Sequence, residues 1–152
     1  MTIVGVISDT HGLVRPEALE YLAGSDIIIH AGDIGSDVVI RNLQAVCPVV
    51  AIRGNIDKGS FGGQFPETEV VEVGGKLIYM IHNIDEIDLD PAAAGFDVVV
   101  YGHSHMPKSE TREGVLYFNP GSAGPRRFKL PVALGKLHIG DSEIIHETHV
   151  IA

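Results

Sequence analysis

Ile3-Val4-Gly5-Val6-Ile7-Ser8-Asp9-Thr10-His11-Gly12 decides how the rest of the chain is read. Its first five residues are branched aliphatics around one glycine, the composition of a strand covered on both faces, and they break into a hydroxyl, a carboxylate and an imidazole. The pattern recurs. Ile27-Ile28-Ile29 runs into His30-Ala31-Gly32-Asp33, and Val49-Val50-Ala51-Ile52 runs into Arg53-Gly54-Asn55-Ile56-Asp57. Two helix candidates lie between these strands. One opens on Pro16 and Glu17, places Leu19 and Leu22 on one face and stops at Gly24. The other takes Ser36 as its N-cap, carries Val39, Ile40 and Leu43, and ends before Pro48. Strand-helix repeats of this kind predict a parallel sheet with right-handed crossovers, and ligands of open α/β sheets bind at the carboxyl edge.

Beyond residue 57 the pattern changes. Strands are expected at Glu69 to Val73, Lys76 to Ile81, Val98 to Tyr101, Val115 to Phe118, Val132 to Leu137 and Glu143 to Val150. Gly74-Gly75 and Glu113-Gly114 supply turns, so this half reads mostly as hairpins. A helix is expected only around Leu89 to Ala94, and Lys58 to Pro66, with its three glycines, reads as a mobile loop. The whole, residues 1–152, reads as one α/β domain with mixed sheets, a length that suits a single core.

Composition narrows the function. Hydrophobic residues at 45% and charged residues at 20% exclude a disordered or collagen-like chain. No apolar run approaches the roughly 20 residues of a membrane-spanning helix. The N-terminus has no basic, apolar and small-residue sequence of a secretory signal, and Cys47 is the only cysteine, so the expected location is the cytoplasm. Eleven basic against twenty acidic residues give a net charge of −9, which disfavours non-specific nucleic-acid binding. An anionic substrate therefore needs a local positive centre, since exposed charges are screened beyond about 8 Å.

The strand ends suggest that centre. Besides Asp9 and His11, Asp33, and Asn55, two later strands end in His82-Asn83 and in Gly102-His103-Ser104-His105. Residues i and i+2 of an extended segment point the same way, so Asp9 with His11, and His103 with His105, each predict a pair of donors aimed at one place. Together the set offers two carboxylates, one carboxamide and four imidazoles, which suits Mn²⁺, Fe²⁺, Zn²⁺ or Ni²⁺ better than Mg²⁺. Arg53 reads either as holding a phosphate oxygen or as a solvated strand-end arginine, and Asp57 as an acceptor behind a ligand in preference to a simple turn residue. His30 reads as packed rather than as a ligand, Arg126-Arg127 as flanking the substrate or, by default, as an exposed basic pair, and Asn119-Pro120-Gly121-Ser122 as a structural turn near the site. Phe61 and Phe65 read either as stacking surfaces for a base or as inward packing. His146 and His149, three apart in a strand, face opposite sides and do not make a zinc-protease motif.

As an ordered set, Asp9-x-His11, Gly32-Asp33, Gly54-Asn55, His82 and Gly102-His103-x-His105 resemble the calcineurin-like metallophosphoesterase superfamily. Gly54-Asn55-x-Asp57 and Asn119-Pro120-Gly121-Ser122 resemble its small single-domain YfcE-like phosphodiesterase branch. The resemblance implies a four-layer α-β-β-α sandwich of two mixed sheets flanked by helices. It implies two divalent transition-metal ions, manganese foremost, one held by Asp9, His11, Asp33 and His105 and the other by Asp33, Asn55, His82 and His103, with Asp33 as the bridge. Asp33, Asn55, His82 and His103 are then the catalytic positions, with Arg53 and Asn55 touching a small-molecule phosphoester. The implied reaction is phosphodiester hydrolysis by a metal-bridging hydroxide. A phosphomonoesterase, a nucleotide pyrophosphohydrolase and a non-catalytic protein scaffold are the alternatives, and a homodimer is expected from the edge strands. Two positions depart from the pattern. Ile56 stands where many members carry a histidine thought to assist the leaving group, and Ile84 stands where many have the second histidine of His-Gly-His.

Overall fold

The computed structural model describes residues 1–152. The first half alternates as the sequence suggests: β1 (Thr2–Ile7), α1 (Pro16–Leu22), β2 (Ile27–His30), α2 (Asp37–Gln44) and β3 (Val49–Ala51), followed by a single turn of helix, α3 (Gly59–Gly62). Then come β4 (Thr68–Val73), β5 (Lys76–Ile81), a 3₁₀ turn at Ile84–Glu86, α4 (Pro91–Ala94) and β6 (Val98–Val100). β7 (Lys108–Arg112), β8 (Val115–Asn119), β9 (Ala133–Ile139) and β10 (Ile144–Val150) complete the chain.

The strands form two mixed five-stranded sheets, in the orders β10-β9-β1-β2-β3 and β4-β5-β6-β8-β7. β1, β2 and β3 are parallel neighbours, and so are β5, β6 and β8, while β9 and β10 and the outer strands β4 and β7 pair antiparallel. The second half is mostly hairpins, as expected: β4-β5 and β7-β8 flank β6, which lies parallel between β5 and β8, and β9-β10 joins the first sheet beside β1.

The uninterrupted apolar runs are explained by burial on both faces. Val4 and Val6 of β1, Ile29 of β2 and Leu137 of β9 meet Ile78 and Met80 of β5, Val98 and Val100 of β6 and Phe118 of β8 between the sheets. The alternate residues look outward. Ile7 and Ile28 pack beneath Ala18 and Leu22 of α1 and Val39, Ile40 and Leu43 of α2. On the far side Tyr79, Ile81, Val99 and Tyr117 pack beneath Ile84, Leu89, Ala92 and Phe96. The layers run helix, sheet, sheet, helix, the four-layer sandwich that the resemblance implies.

Local chemistry sets the smaller elements. Asp90 caps α4 by accepting from the amides of Ala92 and Ala93 at 3.1 and 3.4 Å. Ser36 precedes α2 as expected, but its hydroxyl makes no cap hydrogen bond. β7 escapes a sequence reading because Lys108-Ser109-Glu110-Thr111-Arg112 has no apolar alternation: it is an edge strand held by its backbone pairing to β8. In the stretch read as a loop, Phe61 and Phe65 pack against each other edge to face, with ring centres 5.3 Å apart, and against the core beneath α1 and α2, which rules them out as free stacking surfaces. His146 lies against Phe118 on one face of β10 and His149 stacks on Tyr21 on the other, as their spacing requires. No helix is long and apolar enough to cross a membrane.

Phe118 is fully buried between the sheets. Phe118→Ala is expected to cost about 3 to 5 kcal/mol, read as a lower urea midpoint at unchanged m.

Candidate metal centre

The β1 to β2 pairing does not stop where the strands stop. The amide of Ala31 donates to the Ile7 carbonyl at 3.0 Å, Asp9 to Gly32 at 3.0 Å, His11 to Asp33 at 3.0 Å and Gly12 to Ile34 at 2.8 Å. The two ligand-bearing loops are thereby zipped side by side. His30, fully buried between them, reinforces the zip: its Nδ1 accepts from the Gly32 amide at 3.1 Å and its Nε2 lies 2.9 Å from the Thr10 hydroxyl, which donates to the Ile34 carbonyl. That pattern requires a neutral ring with the proton on Nε2, and burial accordingly pulls His30 down to about 3. His30 is packed, as its place at a strand end suggested.

Asp57 has a different task from the one expected of it. It backs no candidate ligand side chain. Its buried carboxylate accepts from the amides of Ile34, Gly35 and Gly54 at 3.0, 3.0 and 2.9 Å, which clasps the loop after β3 to the loop after β2. Glycine lets these loops approach closely: a Cβ on Gly54 would overlap the Asp33 carboxylate, and one on Gly102 would meet Asp9 Oδ2 at 2.5 Å.

Within that frame the donors converge from both sheets. Asp9 is fully buried; its Oδ2 accepts from the Ser8 hydroxyl at 2.7 Å and the His103 amide at 3.1 Å. Its Oδ1 has no hydrogen bond, yet lies 3.5 Å from His105 Nε2, 3.8 Å from His82 Nε2 and 3.9 Å from His11 Nε2. Asp33 Oδ1 accepts from the Ile56 amide at 3.1 Å, while Oδ2 stands between two rings, 3.2 Å from His82 Nε2 and 3.6 Å from His11 Nε2. Two overlapping donor groups result, Asp9 with His11 and His105, and Asp9 with Asp33 and His82, each with its donor atoms within 4.8 Å of one another. His103 and Asn55 stand at the edge. The His103 ring centre is 5.4 Å from that of His82, and exposed Asn55 lines the same cavity as His82 and Arg53. Arg53 already donates from Nη1 to the Phe65 carbonyl at 2.8 Å and pairs through Nη2 with Glu67 at 3.2 Å.

The convergence is not made by pleated strands. Asp9, His11, Asp33, His103 and His105 all have positive φ, between 47° and 72°, and they are five of the seven non-glycine residues that do. The pairs Asp9/His11 and His103/His105 therefore meet through left-handed turns, not through the extended i, i+2 geometry their spacing suggested. Left-handed backbone is least unfavourable for Asp, Asn and His among larger residues, but still costs about 1 kcal/mol or more each and clusters at functional sites.

Electrostatics bears on what these donors can hold. His82 Nδ1 donates to the Ala31 carbonyl at 2.7 Å, leaving the lone pair of Nε2 directed at two carboxylates. Burial alone lowers His82, but Asp33, Asp9 and the Ala31 carbonyl outweigh it and raise the group, as if a proton filled the gap. Burial pushes the Asp9 carboxyl up despite His82, Ser8 and His105. Burial works the same way on Asp33, yet the His82 ring, the Ile56 amide and His11 outweigh it and hold the carboxyl at about 2. Asp9 Oδ1, His11 Nε2 and His82 Nε2 are buried without a hydrogen bond. Imidazole lone pairs facing carboxylate oxygens are repulsive unless a cation lies between them, so these residues fit a metal centre.

The turn after β8 contributes residues whose part the sequence did not disclose beyond a structural turn. Asn119 Nδ2 donates to the Gly102 carbonyl and the Ser104 hydroxyl, both at 3.1 Å, and the Ser122 hydroxyl donates to the Asp9 carbonyl at 2.9 Å. They lock the His103-Ser104-His105 loop and the Asp9 loop together. Nothing in their residue types alone says which carbonyls they reach.

Asp57→Ala strands three amides at the rim of the centre, and is expected to lower stability by about 2 kcal/mol or more while weakening Mn²⁺ binding. Thermal unfolding and calorimetric Mn²⁺ titration of the variant check this.

The calcineurin-like phosphoesterase superfamily domain matches residues 1–142. The chain is 30% identical over 152 residues to the probable metallophosphoesterase MJ0623 of Methanocaldococcus jannaschii, covering 91% of this chain and 77% of that protein. Among solved structures, the phosphoesterase Yfce of E. coli superposes with a TM-score of 0.72 at 24% identity, covering 99% of this chain and 100% of that one. Vps29 of Entamoeba histolytica in its zinc complex superposes with a TM-score of 0.77 at 21% identity over 98% of this chain and 99% of that one, a likeness of fold alone. By the extent of the family match and by its relatives, the chain belongs to the calcineurin-like phosphoesterase superfamily.

Proposed function

We propose that residues 1–152 act as one catalytic unit, a dinuclear metal-dependent phosphodiesterase. The observation that carries the reading is the pair of donor groups that share Asp9, one with His11 and His105 and the other with Asp33 and His82, with buried lone pairs left facing one another. Asp9, His11, Asp33 and His105 would hold one cation, and Asp33, Asn55, His82 and His103 the other. When bound, two such cations would supply the positive centre that suits an anionic ester to a chain of net charge −9, and Lewis-acid activation of the phosphoryl group and of water. The donor chemistry suits manganese, and admits iron, zinc or nickel.

The chain's own residues orient and exclude. The Ala31 carbonyl fixes the His82 tautomer, so that Nε2 is always the donor atom. Ser8 and the His103 amide hold Asp9 Oδ2, which leaves Oδ1 as the ligand. Asn55, lining the cavity beside His82, steadies the phosphoryl group, whereas the Arg53 guanidinium is taken up by the Phe65 carbonyl and Glu67. Ile56 gives its amide to Asp33 and offers no proton from its side chain, which is 45% exposed, so the departing alcohol takes its proton from water. The phosphodiesterase names among relatives, such as YfcE of Escherichia coli, 33% identical over 95 residues, support the diester over the monoester.

In Mn²⁺, hydrolysis of bis(p-nitrophenyl) phosphate is expected to fall at least about a hundredfold in Asp33→Ala and in His103→Ala with the fold retained by circular dichroism. Full activity in either overturns the reading. Ile56→His supplies the missing acid, and is expected to raise the rate on diesters with poor, alkyl leaving groups by roughly tenfold or more relative to the nitrophenyl ester. A parallel rate comparison on the two ester types reads this out.

A further inference from the structure

The cation-poor surface has one exception. Of eleven basic residues, Arg126, Arg127 and Lys129 fall within four positions, and no other stretch is so dense. The segment is pinned against the centre from behind: the Ala123 amide donates to the Ser8 carbonyl at 3.1 Å and Arg15 Nη2 to the Gly124 carbonyl at 3.3 Å. Beyond these anchors the chain turns so that Pro125, Arg126 and Arg127 line a cavity of about 200 Å³ together with His11 and His105. That is several times the ~30 Å³ that liquid water takes per molecule. Arg126 Nε donates to the Leu130 carbonyl at 3.2 Å, which shapes the loop, while the Arg127 side chain has no hydrogen bond and neither arginine has an ion pair, in a chain with twenty carboxylates.

The opposite flank has the reverse sign. The cavity of about 410 Å³ on the His82 and Asn55 side is lined by Glu67, Glu86 and Asp88, with Arg53 committed to Glu67. An anionic arm of a substrate lying across the centre is repelled from that side and drawn to the other. We infer that the Arg126/Arg127 cavity is a subsite for a second phosphate group, so that the preferred substrate is a phosphodiester carrying a phosphate monoester on one arm and a neutral, hydroxyl-bearing arm on the other. The inference rests on the phosphodiesterase reading of the same centre. Guanidinium forks suit phosphate because each presents two parallel donors to two oxygens.

The test uses two probes that differ by one phosphate, thymidine 3′-phosphate and thymidine 3′,5′-bisphosphate. Each is titrated calorimetrically into the Mn²⁺-loaded protein and used to inhibit bis(p-nitrophenyl) phosphate hydrolysis. The bisphosphate is expected to bind at least about tenfold tighter, the ratio falling as salt is raised. In the double variant Arg126→Gln/Arg127→Gln the ratio drops to near one, and Arg126→Lys/Arg127→Lys recovers part of it. A ratio near one in the native protein, or a ratio the double Gln variant leaves intact, overturns the subsite. Discrimination by calorimetry without turnover of the nitrophenyl ester would instead sink the catalytic reading and leave the anion subsite standing. Unchanged thermal unfolding and Mn²⁺ affinity in the variants show that the loop change has not spread to the centre.

Discussion

Two carboxylates, Asp9 and Asp33, are buried within one hydrogen-bonded zip, and their charge must be met. The zip is backbone: parallel pairing that begins at Val4 with Ile27 and runs on past the last strand residues to Gly12 and Ile34. Because the peptide groups themselves are paired, the loops cannot splay to let water reach the acids. His11 of the zip itself and imidazoles from two other loops, His82 after β5 and His103 and His105 after β6, then close the space. A buried charge of this kind is tolerable only when a cation neutralises it, and the side chains around it leave their lone pairs facing inward.

The rest of the architecture serves that juxtaposition. The sheets bury aliphatic residues on both faces, so their relative position is set by interior packing, and the carboxyl ends of β1, β2, β3, β5 and β6 deliver their loops to one edge. Loops at such an edge would ordinarily be loose. Here Asp57, His30, Asn119 and Ser122 tie one to another, and the five left-handed residues hold turns that the free chain would avoid. Strain and clasp belong together, since strained turns persist only when their surroundings over-determine them.

A charge asymmetry is laid over this frame. Acidic Glu67, Glu86 and Asp88 border the centre on the side of β5, and the arginines after the Ser122 turn border it on the side of His11 and His105. Arg127 is close enough for its charge, after burial, to help hold His105 below the usual histidine range, against the pull of Asp9. A protein with so negative an overall balance thus offers an anion one approach.

The alternation of aliphatic runs with polar strand ends is enough to read the parallel half and the edge at which Asp9, His11, Asp33, His82 and His105 come together, because period and composition report burial locally. Strand β7 was not legible, being all polar and held only by its neighbour; nor was α3, hidden among glycines. The geometry of the donor pairs is hidden from the sequence for a related reason: spacing implies an extended segment, whereas backbone bonds to a distant loop hold a left-handed one. Asp57 could not be distinguished from an acceptor behind a ligand, since its three amide partners come together only when two loops meet. Residue identity along the chain determined which groups are available. Which atoms face one another, which carboxylate clasps and which remains bare, and which flank is positive were decided by contacts between segments as far as 113 residues apart, whose energies no local stretch contains.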